Sequence, residues 1–462
     1  MTEVQKLASF VNTRKFSDLS QEAIKELKIR LLDSLACAIG AQEGAPVKML
    51  KDQIIDFGGN PLTSLIGCGC KTAPDRTAFY NSFLVRYLDF NDSYLAKNET
   101  CHPSDNIGSL LASAEYADKS GKDFITALAI AYQVQCRLSD EAPVRDKGYD
   151  HTVQGNYATA AGAAYALGLT KEETANAIAI SATAYNALRV TRTGNLSHWK
   201  GMAFPSTGWT STHSAFLAKY GITGPEEVFE GNKGFKETIA GDFNLDWSKE
   251  DLERVTKTII KKYNAEIHSQ STLEGIQELM SENNIDPKNI EKVELNTFDV
   301  AFNIIGGGEE GGKKNIGTKE EADHSLPYMM AAMILDGNVL PAQYEPERIQ
   351  SEDIQTLLQK VEVKEKKEYS DRFPREMVCD ITISMKDGKK YHIEKTDYEG
   401  FHTRPASWET IEHKFKLLTQ DFICEEVGQQ IITMVKNLEN HSIRALMKVL
   451  KNCDVEEMSA VL

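Results

Sequence analysis

The sequence predicts a mostly α-helical protein, a large all-helical domain interrupted by a smaller inserted α+β lid domain. Three patterns predict it. Apolar residues recur at helical spacing from residue 1 to about 260, strand-like alternation occupies the 290s and the 360–395 region, and helical periodicity returns from Ser407. The expected division is 1–262 for the helical domain, 263–399 for the lid, and 400–462 for helices that return to the first domain.

Each element has a local signal. Ser20 caps EAIKELKIRLLDSLACAIG, which runs at the helical period to Gly40. PDRTAFYNSFLVRYLDF places Phe79, Phe83, Tyr87 and Phe90 on one buried face and delivers Asp89 at its end. A second helix begins near Pro103 or Ser104 and stops at Gly121. FITALAIAYQVQCRL (124–138) is another apolar helix, followed by a helical hairpin in which Gly168 ends one arm and the Thr170 and Glu173 capping box starts the next. IEKVELNTF and QKVEVKEKK read as strands, MVCDITISMKDGKKYHIEKT as a hairpin turning on Asp387-Gly388, and WETIEHKFKLLTQDF and EEVGQQIITMVKNL as closing helices. The run GGGEEGGKKN (306–315) lacks the strand-to-helix context and Lys-Ser/Thr pair of a phosphate cradle and reads as a loop.

Composition narrows the function. At 462 residues, 41% hydrophobic and 26% charged, the chain is globular. No apolar run is long enough for a bilayer span and the amino terminus has no signal-peptide core, so a cytoplasmic protein is expected. A net charge of −16 argues against a nucleic-acid surface and requires any anionic ligand to meet locally concentrated bases. Cys37, Cys68, Cys70, Cys101, Cys136, Cys379, Cys424 and Cys453 are too scattered for a disulfide framework, and most are expected to be small buried hydrophobes. The C-x-C pair at Cys68 and Cys70 lacks the partners of a metal site.

Four segments set polar groups beside apolar helix ends: YLDFNDSYLAKNETCHPSDN (87–106) with Asp89, Ser93, His102 and Ser104; VRDKGYDHTVQGN with His151; ALRVTRTGNLSHWKGMA with Arg189, Arg192, His198 and Lys200; and TIIKKYNAEIHSQSTLEGI with Lys261, Lys262, Glu266 and His268. Histidines beside lysines and arginines in an acidic chain point to a small polycarboxylate.

These residues resemble the MmgE/PrpD family. LDFNDSYLA followed by HPSDN is similar to the dehydratase form of the family's first motif, LDFNDTWLA followed by GHPSDN, whereas the decarboxylase form reads DFDDT followed by HPSG. AEIHSQ (265–270) is similar to AEFHSQ, DHSLPYMMAAMILDG (323–337) to DA-x-HS-x-x-Y-x-x-A, and LLDSLACAIG and LGLTKEETANAIAIS are typical of the family. The resemblance implies that Asp89, His102, His151, Lys200 and Lys261 line the active site with Ser93 close by; Asp89, His102, His151 and Lys200 are expected to be catalytic, and Ser93, Ser104, Arg189, Arg192 and Lys261 to bind the substrate. It also implies a homodimer without metal or other cofactor. The implied activity is a hydro-lyase that dehydrates 2-methylcitrate to 2-methyl-cis-aconitate. A decarboxylase or epimerase on the same scaffold, or a non-catalytic carboxylate-binding protein, is the alternative. The chain departs from the family at GNLSHWKGMAFPS, at Asn264 in place of proline, and at Lys313 and Lys314 where decarboxylases carry a tyrosine.

Dehydration needs one group to take a C–H proton beside a carboxylate and another to protonate the departing hydroxyl. His102 and His151 are the expected pair, with the assignment of base and acid open. Asp89 is expected to orient a histidine and the cations to neutralise substrate carboxylates. His268 and His324 are expected to be structural, and the Ser104 helix start to offer backbone donors.

Overall fold

The computed structural model describes residues 1–96 and 98–452. It is mostly helical and divides into two compact units. One comprises Met1–Thr191, Gly201–Thr258 and the segment from Ser407; the other comprises Arg192–Lys200 and Ile259–Ala406.

The first unit is built on Gln21–Gly40, which is buried on nearly every face because Ala, Leu, Ile and Cys fill all sides of its second half. Ser20 caps it by accepting the Ala23 amide. Its buried charges are each compensated. Arg30 pairs with Glu26 and donates to Thr258 Oγ1 and O at 2.7 and 2.8 Å, and Asp33 meets Lys414 Nζ at 2.6 Å. Lys414 lies on the returning helix Trp408–Thr419 and also donates to the Phe90 carbonyl at 2.7 Å. Pro74–Tyr87 and Gly121–Glu141 pack on this axis, and Ile107–Tyr116 packs on those two helices. Small residues permit the closest approach. A Cβ on Gly108 would lie 2.2 Å from the Ser82 amide nitrogen and 2.5 Å from the Asn81 carbonyl carbon.

Sequence expectations hold at Gly40, at the Gly168 left-handed cap, where φ is 72°, and at the Thr170 capping box. They fail after His102. The chain first makes a 3₁₀ turn, Pro103–Asn106, and the α-helix then runs Ile107–Tyr116, short of Gly121. Asp118 takes a left-handed φ of 53° and ends it, while Ser120 and Asp123 form a capping box that starts Gly121–Glu141. Two short hairpins were not foreseen, β1 (Thr63–Ser64) with β2 (Lys71–Thr72) and β3 (Tyr94–Leu95) with β4 (Thr100–Cys101). Between β1 and β2, Cys68 and Cys70 form a disulfide, where the sequence suggested small buried thiols. Gly67 and Gly69, both at positive φ, donate their amides to Leu450 and Lys451 carbonyls and so cap the helix Ile443–Lys451. Cys37, Cys101, Cys136 and Cys379 are buried thiols, Cys424 is half-buried, and Cys453 lies outside the described residues.

The second unit carries a four-stranded sheet. Its order is β6 (Val361–Glu365), β5 (Ile290–Thr297), β7 (Cys379–Met385), β8 (Lys390–Lys395), with β5 and β6 parallel and the other pairings antiparallel. The parallel pair needs a crossover, which Leu326–Asp336 and Glu352–Gln359 supply. Alternation along β5 and β7 buries Val293, Leu295, Ile381 and Ile383, and the helix Gln270–Asn283 covers β7 and β8, with Gly275 against Ile381 and Lys395. Among the described residues no helix is long and apolar enough to cross a membrane.

Because a Gly108 methyl meets backbone rather than a yielding side chain, Gly108→Ala is expected to destabilise the protein by about 1–3 kcal/mol or more. Chemical denaturation measures this, and a midpoint unchanged from wild type would refute the close approach.

Candidate functional site

In the first unit the segment 87–106 folds around one carboxylate. The helix Pro74–Tyr87 ends at Leu88, and Asp89 turns the chain in a left-handed conformation, φ 56°, paired with Arg86. Asp92 then enters the core with no exposed surface. Its Oδ1 accepts the Ser104 amide at 3.0 Å and its Oδ2 accepts the Tyr132 hydroxyl at 2.7 Å. Burial pushes the Asp92 carboxyl up despite these donors, and burial likewise holds the Tyr132 hydroxyl in its protonated, donating form. Asn91 ties the same loop to Ser104 Oγ and Asp105 Oδ1 at 2.8 and 2.7 Å.

This network fixes His102. Its Nδ1 lies 2.8 Å from the Asp92 carbonyl and 3.0 Å from Ser93 Oγ. A carbonyl only accepts, so Nδ1 carries a proton, and in the neutral form of the ring the lone pair is on Nε2. His151, at the start of Thr152–Leu167, stands edge-on to it with ring centroids 5.4 Å apart and planes at 71°. Its Nδ1 lies 3.4 Å from Asp150 Oδ1, a carboxylate itself held by the Thr152 amide at 3.1 Å. Both rings are nearly buried, His102 at 7% and His151 at 3% exposure. Arg189 donates its amide to the Gly148 carbonyl and is half-exposed.

Sequence reading therefore named two histidines that the fold brings into contact, but expected Asp89 to orient a histidine and Ser93 to meet the substrate. The orienting contacts are the Asp92 carbonyl and Ser93 on His102 and Asp150 on His151; Asp89 is held by Arg86. The Ser104 amide, expected as a ligand donor, is directed at Asp92.

Lys200, Lys261 and Arg192 belong to the second unit. Lys200, 3% exposed, donates to Asp323 Oδ1 at 2.9 Å and lies 3.0 Å from His324 Nδ1, which is itself 2.7 Å from the same carboxylate oxygen. Lys319 meets the other oxygen at 2.9 Å. Burial alone would raise the Asp323 carboxyl, yet Lys200, Lys319 and His324 overcome it and hold the group far below the usual carboxylate range. Arg192 donates to the Lys200 carbonyl. Glu266 is 2.7 Å from His268 Nδ1 and accepts the His268 amide at 2.8 Å. Burial opposes its ionisation, but His268, His324 and Lys261 together bring it down to about 2. His268 packs on Phe298 and Phe373, and both His268 and His324 are hydrogen-bonded within this unit. Burial pushes the Lys313 amine down. The signal that would have found Asp150 and Asp323 is a carboxylate directly before a histidine, in DHT and DHS, and Glu266, already named, stands two residues before His268.

Residues 5–248 match the MmgE/PrpD N-terminal domain and residues 263–440 the MmgE/PrpD C-terminal domain. The chain is 28% identical to the 2-methylcitrate dehydratase of Escherichia coli over 399 residues, 81% of each chain. It is 26% identical to the mitochondrial 2-methylcitrate dehydratase of Yarrowia lipolytica, over 83% of this chain and 77% of that one. To the cis-aconitate decarboxylase of Mus musculus it is 24% identical, over 99% of this chain and 95% of that one.

Tyr132→Phe leaves a buried carboxylate oxygen without its donor, an expected loss of about 1–3 kcal/mol in urea denaturation. An unchanged midpoint would show that Asp92 does not depend on Tyr132. Glu266 provides a pH test. Its folded value, about 2, lies below the ordinary 4.5, so its stabilisation is complete above 4.5 and is lost as pH falls through about 2. The stability gap between wild type and Glu266→Gln should therefore be widest near neutrality and narrow between pH 4.5 and the acid limit of folding; a gap that does not vary with pH would contradict the pairing.

Proposed function

The chain belongs to the MmgE/PrpD family and is an enzyme of the lyase kind, and from that premise we propose that it is a hydro-lyase converting 2-methylcitrate to 2-methyl-cis-aconitate with His102 and His151 as the proton-transfer pair. The observation that carries this reading is the edge-on contact of two buried imidazoles with differently oriented Nδ1 atoms. His102, with its Nδ1 proton on a carbonyl, presents an unprotonated Nε2 and suits the base that takes the C–H proton. His151, with its Nδ1 3.4 Å from the Asp150 carboxylate, is oriented by that group and suits the acid that protonates the leaving hydroxyl.

Ser93 holds His102 in this scheme, and Asp89, with Arg86, holds the turn that leads to it. Lys200 is proposed as a further catalytic group. Lys261, Arg189 and Arg192 are proposed as partners of the substrate carboxylates, on the charge such a substrate carries. The smaller unit is proposed to act as a lid inserted in the helical chain, and the enzyme to work as a homodimer.

The dehydratase form HPSDN, together with Lys313 and Lys314 at the decarboxylase tyrosine position, favours water loss over loss of carbon dioxide. The decarboxylase reading draws support from the alignment with the mouse enzyme over almost the whole chain. Proton NMR of purified protein incubated separately with 2-methylcitrate and cis-aconitate separates them. The expected product is the unsaturated acid from 2-methylcitrate, whereas itaconate from cis-aconitate would establish the decarboxylase.

His102→Ala and His151→Ala should each lower kcat by about a hundredfold or more. Full turnover in both variants would remove the pair from the mechanism.

A further inference from the structure

The contact with Asp150 orients the His151 ring but does not hold the segment that carries it. The segment carrying it, Val144 to Asp150, is a tight turn in which Lys147 and Gly148 donate back to the Val144 and Arg145 carbonyls and Gly148 is left-handed, φ 87°. At the head of this turn the Val144 and Arg145 amides both point to one acceptor, Glu99 Oε2, each at 3.1 Å. Glu99 is 3% exposed and lies three residues before His102, in the β3–β4 hairpin, where its carbonyl accepts the Ala96 amide and its Oε1 the Thr100 amide at 3.3 Å. One side chain thus joins the strand that leads into His102 to the turn that leads into His151.

We propose that Glu99 is a positioning residue that clasps the Val144–His151 segment and so keeps the His151 ring against His102. The inference rests on the reading of these two histidines as the proton-transfer pair. A backbone turn with two amides turned inward needs an acceptor, and an unsatisfied buried amide is costly. Glu99 Oε2 supplies that acceptor to both.

The surroundings determine which variants distinguish acceptor from charge. Arg189 attracts the carboxylate and Asp150 repels it; burial, the largest influence, pushes Glu99 up to about 7. Near neutral pH the two amides are therefore received by a mixture of acid and carboxylate, and a neutral carbonyl oxygen is competent to hold them. Glutamine supplies that oxygen; alanine does not.

The test compares Glu99→Ala and Glu99→Gln by NMR of isotope-labelled histidine and by steady-state kinetics. In Glu99→Ala the His151 ring resonances are expected to shift and broaden, with kcat lowered at least about tenfold and KM within about twofold, because the residue acts through the backbone of the turn. Glu99→Gln is expected to keep wild-type ring resonances and kcat within about twofold. Ring resonances unchanged in Glu99→Ala overturn the proposal, as does a folded Glu99→Gln that reproduces the alanine phenotype. If the alanine variant does not fold, Glu99→Asp, one methylene short of both amides, takes its place in the same comparison. The resonances are read without turnover, so an enzyme inactive on every tricarboxylate tried would defeat the proposed function while leaving the positioning role to be decided.

Discussion

The first unit is organised by the need to satisfy one carboxylate that has no access to water. Asp92 is taken into the core of a helical unit, where an ionisable group without hydrogen bonds costs several kcal/mol. The fold meets that cost with the Ser104 amide and the Tyr132 hydroxyl. The Ser104 amide is available to Asp92 because it lies in the first turn after His102, where an N–H has no partner within the helix. The same placement leaves the Asp92 carbonyl against His102 Nδ1. Tautomer, loop path and helix start are therefore consequences of one buried group.

The second unit solves a similar problem with cations. Asp323 is as buried as Asp92, but it faces Lys200, Lys319 and His324, and its proton affinity falls where that of Asp92 rises. The contrast is chemical. Neutral donors reduce the penalty of burial without cancelling it, whereas ammonium groups at hydrogen-bond distance reverse it. Groups of the same type thus acquire opposite acid–base character from their neighbours alone.

Legibility in the sequence followed the range of the interactions concerned. Caps at Ser20, Thr170 and Gly168, the turn at Asp387-Gly388 and the alternation in β5 and β7 are set by residues a few positions apart, and each was readable. The two-residue strands, the Cys68–Cys70 disulfide and the early end at Tyr116 were not, since they depend on a left-handed Asp118 and on contacts with Leu450 and Lys451 far along the chain. At the site, His102 and His151 stood out by type, while Asp92, Tyr132 and Glu99 did not. A buried aspartate, tyrosine or glutamate has the same letter as an exposed one, and only the fold makes its burial a constraint. Asp150, directly before His151, was the exception that local spacing offered.

Lys414 gives the chain a dependence on the order of its synthesis. Asp33 emerges from the ribosome early, and the Phe90 carbonyl soon after, but the ammonium group that serves both belongs to a helix near the other terminus. Until that helix arrives, the nascent helical unit holds a carboxylate it cannot bury cheaply, so its core stays hydrated and the loop above it unsettled. A chain without the helix Trp408–Thr419 would retain His102, His151 and the acidic residues of the first motif, yet would lack the cation that compensates Asp33 in the core beneath them.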